Sequence, residues 1–504
     1  MIKCIFPVAS IVLFLSCGKK NDTIIPEKKS NEIVWNKSIT WTQCPTQSKE
    51  EIEQNEIDSS SNFLSTILFE CGTFKVPLDW NDLTGKTIDL ALKRAKATQQ
   101  NEKIGSLIVN PGGPGGSGVY FVNGVINANS ELIKKFDIVG FDPRGVHAST
   151  PIKCKSFLDN SIFSLLNSEQ NFFKFQNQVR NLRKFCAQGN DELINYVNTE
   201  NVVKDLEAIR VALGNEKLNY YGVSYGTSIG ATYAYRYPNN TRAMVLDGVV
   251  DQSKSLTEIV KNETMAIKNS FNEFAKYCNA TFDCNLNFDE IVTILEQLSE
   301  EYPLLNDAEI KKITKADILT SLTYSVTEFS NWKKIGHLLL KLNKLKPVLN
   351  ADDFLSSEDL DETMQFYAVE CLDYPMNNFT WNDYLALKAE SKKIFPAIDG
   401  FILSINTYAV CSAWENKRHE PLQKNHNIHK EQSILLVSSL FDAITPHANA
   451  LLKLQQIQGS KLLQSLDNTH SVSLIPESTC VQNYVNQFFT TVTLPADFLL
   501  CDIK

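Results

Sequence analysis

The sequence predicts an α/β fold in which a mostly parallel sheet carries helices on both faces. From about residue 70 onwards, short apolar runs alternate with amphipathic stretches of helical period, and this alternation is typical of strands joined by crossover helices. The chain has 504 residues, of which 43% are hydrophobic, so it can bury a larger core than one ordinary domain does. We therefore expect one large α/β domain that carries an insertion.

The predicted strands fall into two groups along the chain. They lie at residues 88–92, 106–109, 137–141, 218–221, 243–246, 434–437 and 461–466. Between the two groups, apolar residues such as Ile291 and Leu295 recur at helical spacing. We expect residues 41–255 and 425–504 to form the α/β domain, and residues 256–424 to form an inserted helical cap.

The first 17 residues have the layout of an export signal. Lys3 precedes an apolar run at residues 5–15, which is too short to span a bilayer, and Ser16 and Cys17 follow it. This ending is similar to a bacterial lipobox, in which the cysteine is acylated and becomes the first mature residue; in the alternative, Cys17 is incidental in a plain signal peptide. Residues 18–40 are expected to form a flexible tether. We therefore expect a protein of the bacterial cell envelope, anchored by lipid to a membrane that it does not span.

The number of cysteines also favours export. Of the 12 cysteines, Cys4 lies in the signal and Cys17 is the proposed lipid site, which leaves ten, an even number that suits an oxidising compartment. Proximity in sequence favours the pairs Cys44–Cys71, Cys154–Cys186, Cys278–Cys284, Cys371–Cys411 and Cys480–Cys501, although other pairings stay open at this point. A metal site is not expected, because the cysteines are scattered and no C-x-x-C occurs.

Charge and histidine placement exclude other classes of protein. The net charge is −9, and no cluster of basic residues offers the surface that nucleic acid requires. His419, His426 and His429 lie in a charged stretch rich in Asn and Lys, which predicts a solvated loop. We therefore expect no metal, no cofactor and no nucleic-acid partner.

The pentapeptide Gly222–Val223–Ser224–Tyr225–Gly226 matches G-x-S-x-G. It follows the predicted strand at 218–221 and precedes a predicted helix at 227–237, the position of a nucleophile elbow. Glycines are needed on both sides, because a Cβ there would collide with the neighbouring strand or helix. An ordinary glycine turn is the alternative, but the strand–turn–helix setting favours Ser224 as a nucleophile.

A glycine-rich loop at residues 110–118 follows the strand at 106–109. Such a loop can present bare N–H groups to a developing oxyanion. The expected donors are the N–H of Gly113, or of its neighbour Gly112, and the N–H of Tyr225. A phosphate cradle is the alternative, but the lysine of that motif is missing.

A serine nucleophile of this type needs an acid and then a base further along the chain. His470 follows the strand at 461–466 and is the expected base, whereas His447 is expected to begin a surface helix. Asp442 follows the preceding strand and should accept the Nδ1 proton of His470. Asp247, at the end of an earlier strand, is the rival acid.

Taken in order, these motifs resemble the secreted tripeptidyl-aminopeptidase-like branch of the proline iminopeptidase family, serine exopeptidases of the α/β-hydrolase fold. The resemblance extends over about residues 71–501 and includes residues 71–80, 110–118, 140–145, 222–226 and 442–446, and His470 followed by Cys480 and Cys501. Carried over residue by residue, it places the catalytic serine, aspartate and histidine on Ser224, Asp442 and His470.

Two positions depart from the family pattern. His470 lies between Thr469 and Ser471, where glycines are usual, and Val146–His147 stands where a second glycine is common. Neither departure removes a catalytic group.

The resemblance implies cleavage of short peptides from a free N-terminus, with a cap that restricts access and binds the amino group. Acidic cap residues would suit that ammonium, and Glu370 and Asp373 are the candidates; their alternative role is that of solvated or salt-bridged surface acids. We expect a monomer that acts on short peptides. A carboxylesterase or lipase, and a non-catalytic binding lipoprotein, are the alternatives.

Overall fold

The computed structural model describes residues 35, 37–45, 63–154, 160–188, 192–214, 216–281, 284–306, 309–344, 347–350, 360–415, 422 and 424–501. The predicted export signal, Cys17 and most of the predicted tether lie outside these residues.

The strands of the described residues belong to two sheets. In chain order they are β1 (Thr40–Gln43), β2 (Phe69–Pro77), β3 (Thr87–Ala95), β4 (Gly105–Asn110), β5 (Phe136–Phe141), β6 (Leu218–Val223), β7 (Thr241–Asp247), β8 (Glu301–Asn306), β9 (Glu309–Thr314), β10 (Leu349–Asn350), β11 (Ile434–Ser439), β12 (Lys461–Ser465) and β13 (Leu499–Cys501). The large sheet has the order β1-β2-β3-β5-β4-β6-β7-β11-β12-β13, and the small one has the order β10-β8-β9.

The large sheet is parallel from β5 to β13, and β1, β2 and β3 pair antiparallel at its other end. All seven predicted strands lie in it, and the observed ends differ from the predicted ones by a few residues. The predicted, mostly parallel sheet is therefore confirmed. The sequence analysis did not predict β1, β2 and β13.

Helices cover both faces of this sheet. In chain order they are α1 (Gly118–Ala128), α2 (Leu132–Lys135), α3 (Glu169–Ala187), α4 (Thr199–Ala212), α5 (Tyr225–Arg236), α6 (Leu256–Thr281), α7 (Phe288–Glu296), α8 (Lys315–Ser325), α9 (Trp332–Leu342), α10 (Leu360–Asp373), α11 (Trp381–Ile394), α12 (Leu403–Cys411), α13 (His447–Gln456) and α14 (Thr479–Thr491).

Alternating side chains along the central strands pack into two separate hydrophobic cores, one on each face of the sheet. On β7, Met244 and Leu246 pack into one core, and Ala243 and Val245 pack into the other. The first core also holds residues of α4, α5 and the cap, and the second holds residues of α1 and α14. Both faces of a parallel sheet are buried in this way, which explains why its strands are apolar throughout.

The cap contains the predicted helices and a small sheet that was not predicted. Ile291 and Leu295 lie on the buried face of α7, in agreement with their helical spacing. Strand β8 pairs antiparallel with β9 and parallel with β10. Since β8 contains a proline and β9 is rich in lysine, neither strand has the apolar alternation from which strands are predicted.

Ten cysteines form five disulfides. The pairs are Cys44–Cys71, Cys154–Cys186, Cys278–Cys284, Cys371–Cys411 and Cys480–Cys501, with Cα–Cα distances from 4.4 to 5.7 Å. These are the pairs that proximity in sequence favoured. Such a set of disulfides indicates a protein that folds after export.

None of the helices within the described ranges has the length and apolar character needed to cross a bilayer. Those ranges also contain no group of three or more His, Cys, Asp or Glu side chains arranged to hold a metal ion.

Candidate active site

Ser224 lies in a tight turn between β6 and α5. Its backbone has φ 56° and ψ −126°, a conformation that side-chain-bearing residues rarely adopt and that is held here by the surrounding structure. The N–H of Ser224 donates to the carbonyl of Asp247 at 2.9 Å. A Cβ on Gly222 would lie 2.5 Å from the carbonyl oxygen of Gly226, so the first glycine of the motif is sterically required.

The glycine-rich loop lies directly against this turn. A Cβ on Gly112 would lie 2.5 Å from the Val223 carbonyl oxygen and 2.8 Å from the Tyr225 nitrogen. The N–H of Gly112 donates to Asn110 Oδ1 at 3.0 Å. Within the described residues, the N–H groups of Gly113 and Tyr225 have no hydrogen-bond acceptor. Of the two candidate glycines, Gly113 therefore has the N–H that is available to an oxyanion.

Asp442 is a buried carboxylate that follows the end of β11. It is 1% exposed, and its Oδ1 accepts from the N–H groups of Ile444 and Thr445 at 2.9 and 2.8 Å. Its Oδ2 accepts from Thr445 Oγ1 at 2.7 Å and lies 2.8 Å from His470 Nδ1. This geometry fixes the imidazole with Nδ1 as the donor, which leaves Nε2 as a base.

Three carboxylates surround His470. Burial by itself would lower the pKa of the imidazole, but Asp442, and then Glu328 and Asp247, outweigh burial and raise that pKa. Above its raised pKa His470 is neutral and can act as a base. Below that pKa it carries a proton and cannot accept one from a serine.

Asp247 and Gly248, which are adjacent in the chain, contact Ser224 and His470, respectively. The Asp247 carbonyl accepts the N–H of Ser224, and a Cβ on Gly248 would lie 2.9 Å from His470 Cε1. Within the described residues, Ser224 Oγ and His470 make no hydrogen bond. Contacts of this kind are often long without substrate and shorten when it binds.

The two rival residues occupy other positions. Asp247 is fully buried, its Oδ2 accepts from both the N–H and the hydroxyl of Ser473, and burial raises its pKa to about 6. It therefore anchors the turn that follows His470. His447 begins α13, as predicted, with Nδ1 3.1 Å from Ser438 Oγ and Nε2 3.0 Å from Gln464 Nε2.

The two predicted cap acids differ in their surroundings. Asp373 is 0% exposed, and Thr199 occupies both of its oxygens. The contact of Asp373 with substrate stays a prediction, since both carboxylate oxygens bond to Thr199 in this structure. Glu370, one turn earlier on α10, has no hydrogen bond to its carboxylate within the described part of the chain. Burial and the charge of Asp373 raise the pKa of Glu370 to about 8.

Sequence reasoning missed a third cap acid, Glu328. After the larger effect of Asp442, its charge also raises the pKa of His470, and burial raises the pKa of Glu328 itself to about 7. Glu328 lies between α8 and a short 3₁₀ helix at Phe329–Asn331. No motif surrounds it in the sequence, so no local signal could have identified it.

We expect Glu328→Gln to shift the acid limb of the pH profile of kcat/KM to lower pH. Removal of a negative charge beside the imidazole lowers the pKa of His470. Glu296→Gln, an exposed change elsewhere in the cap, is the control and should leave the limb in place. A limb that moves to higher pH in Glu328→Gln would contradict the prediction.

Comparisons with known proteins agree with this architecture. Residues 105–475 match the family model of the α/β hydrolase fold. The chain belongs to the α/β hydrolase family. It is 29% identical to the serine protease Hip1 of Mycobacterium tuberculosis, with 86% of this chain and 87% of that protein covered.

Two further relatives are named for different substrates. The tripeptidyl aminopeptidase of Streptomyces lividans is 28% identical, with 86% of this chain and 83% of that protein covered. Carboxylesterase B of Mycobacterium tuberculosis is also 28% identical, with 86% of each chain covered. This α/β hydrolase is therefore a serine hydrolase, and its relatives are named as a serine protease, a tripeptidyl aminopeptidase and a carboxylesterase.

Proposed function

We propose that this serine hydrolase is an exopeptidase that releases short peptides or single residues from free N-termini. The observation that carries the proposal is Glu370, a largely buried cap carboxylate without a hydrogen-bond partner among the described residues. A buried acid in this state is costly unless a cation reaches it. The ammonium group of a peptide N-terminus is such a cation.

The proposed chemistry is acyl transfer in two steps. His470 Nε2 takes the hydroxyl proton of Ser224, the serine oxygen bonds to the substrate carbonyl carbon, and the N–H groups of Gly113 and Tyr225 bind the resulting oxyanion. The carbonyl re-forms as the bond to the leaving amine breaks, and His470 donates its proton to that amine. Water, deprotonated by His470, then bonds to the acyl carbon, and the bond from that carbon to the Ser224 oxygen breaks as His470 returns the proton to the serine.

The surroundings of Glu370 support the proposal that the substrate ammonium binds at its carboxylate. Burial raises the pKa of Tyr225, the residue after the proposed nucleophile, and of Tyr374 and Tyr408, and the carboxylate of Glu370 raises all three further. Glu370 therefore lies among aromatic side chains that extend from the elbow into the cap. These aromatic groups can pack against a peptide whose amino end reaches the carboxylate.

We expect Glu370→Gln to raise KM for peptides with a free N-terminus by about tenfold or more, because a buried charge-assisted contact contributes about 1.5–3 kcal/mol. For N-acetylated peptides and for esters, KM should change little. Steady-state kinetics on matched free and acetylated tripeptide p-nitroanilides measure the difference. An equal change of KM for both substrates would place the ammonium elsewhere.

A substrate panel tests the proposal as a whole. Wild-type enzyme and Ser224→Ala are compared on free and N-acetylated tripeptide p-nitroanilides and on short-chain p-nitrophenyl esters. Hydrolysis that requires a free amino group supports the exopeptidase. Hydrolysis of esters alone supports a carboxylesterase, the second candidate, which the similarity to carboxylesterase B favours. Hydrolysis of none contradicts both.

We also propose that Cys17 carries a lipid that anchors the exported enzyme to a membrane. The support is the lipobox-like sequence before Cys17. Mass spectrometry of the mature N-terminal peptide tests it: an unmodified N-terminus at a later residue would contradict the anchor.

A further inference from the structure

Asp373, Thr199 and Tyr225 form a buried chain of hydrogen bonds between the cap and the elbow. Thr199 Oγ1 lies 2.6 Å from Asp373 Oδ2 and 2.5 Å from the hydroxyl of Tyr225. The N–H of Thr199 also donates to Asp373 Oδ1 at 3.0 Å. Asp373 and Thr199 are 0% exposed and Tyr225 is 5% exposed.

The direction of these bonds follows from the groups themselves. Burial raises the pKa of Asp373 to about 7; above that pH the ionised carboxylate only accepts, so the hydroxyl of Thr199 donates to Asp373. Thr199 Oγ1 then has only lone pairs to offer, and the hydroxyl of Tyr225 donates to it. Burial raises the pKa of Tyr225 well above its usual range, so this phenol keeps its proton. The chain therefore runs from Tyr225 through Thr199 to Asp373.

We propose that this chain positions the oxyanion hole from the cap. Tyr225 follows Ser224, and its backbone N–H is one of the two oxyanion donors in the proposed mechanism. Fixing its ring also fixes the orientation of its peptide group, beside Gly112. The inference rests on the proposed roles of Ser224 and Tyr225, and it makes Asp373 a positioning residue.

The cap end of the chain is itself firmly held. Asp373 ends α10, and its carbonyl accepts the N–H of Leu422 at 3.0 Å. Two residues earlier, the Cys371–Cys411 disulfide joins α10 to α12. A displacement of α10 therefore has to move or break the bond to Thr199. This couples the position of the cap to the geometry of the oxyanion hole.

The alternative to a positioning role is that the contact between Asp373 and Thr199 only stabilises the fold. The bond from the Thr199 N–H to Asp373 satisfies a free donor at the start of α4, where Asn198 makes no side-chain cap. Loss of such a cap lowers stability but need not alter the rate of catalysis. Variants of the Thr199 hydroxyl distinguish the two roles, because they leave the backbone bond in place.

The measurement is the second-order rate of phosphonylation of Ser224 by a fluorophosphonate, which forms an oxyanion and needs no known substrate. Thr199→Val should react about tenfold more slowly, a part of the 10²–10³-fold effect of losing a whole oxyanion donor. Thr199→Ser keeps the hydroxyl and should recover most of the rate. Tyr225→Phe should slow phosphonylation as much as Thr199→Val does. The double variant should react no more slowly than either single variant.

A matched variant controls for the loss of a buried threonine hydroxyl. Thr264 lies in the cap, is 0% exposed, and its hydroxyl donates to the Val260 carbonyl at 2.7 Å. Thr264→Val should lower the melting temperature about as much as Thr199→Val does and leave the phosphonylation rate unchanged.

Three results would overturn the inference: an unchanged rate in Thr199→Val, an equal loss in Thr199→Ser, or multiplying losses in the double variant. Failure of the proposed role of Ser224, on which the inference rests, gives a different result: wild-type enzyme is then not labelled, or Ser224→Ala is labelled as fast as wild type. An enzyme that hydrolyses only esters would still be labelled.

Discussion

Replacing Ser224 with alanine is expected to lower turnover by about 10³-fold or more. In the proposed mechanism the serine oxygen forms the bond to the substrate carbonyl, and alanine offers no atom that can replace it. The turn should stay intact, because alanine is smaller than serine and the N–H bond to the Asp247 carbonyl is retained. Activity is measured on whichever substrate of the panel the wild type hydrolyses fastest.

The control for Ser224→Ala is an unchanged melting temperature, which shows that the loss does not come from unfolding. Turnover within tenfold of wild type would contradict the nucleophile. It would also remove the basis for the oxyanion donors, since both are placed around the carbonyl that this serine attacks.

Asp442→Asn is expected to lower kcat by about 10³-fold or more at neutral pH, as amide replacement of a triad acid does elsewhere. The amide can donate to Nδ1 and so favours the tautomer in which Nε2 carries the proton. That tautomer cannot accept the serine proton. The lost charge also lowers the pKa of His470, because less negative charge then offsets the effect of burial.

Asp247→Asn is the matched comparison. Asp247 contacts Ser473 rather than the imidazole. Asp247→Asn should therefore lower kcat much less than Asp442→Asn does. If Asp247→Asn abolished activity while Asp442→Asn kept it, the acid would have been assigned to the wrong strand. The pH profile of each variant gives a second check, because both charges raise the pKa of His470.

Where the local pattern is strong, the prediction from sequence and the structure agree closely. The strand at 218–221 and the glycines of the elbow are local features, because a strand needs a short apolar run and a strained turn needs residues without a Cβ. Asp442 and His470 were placed by their order after two late strands. Their 2.8 Å contact across 28 residues follows from the neighbouring positions of β11 and β12.

Where two segments that are distant in the sequence come into contact, the sequence did not predict which side chains contact each other. Asp373 was predicted to contact substrate because it lies near Glu370 in a cap helix. The structure buries it against Thr199, 174 residues away. Glu328 was not identified at all, because only the packing of the cap brings it to His470.

The sequence by itself predicted the parallel sheet, the elbow and the proposed acid and base, and it favoured the cysteine pairs that the structure contains. These depend on periodicity, steric limits and order along one chain. Only the tertiary structure decided which glycine N–H is open, which cap acid is left without a hydrogen bond, and how Tyr225 is connected to the cap. The free energy of a buried polar group depends on the neighbours that folding brings to it, and those neighbours are not adjacent in the sequence.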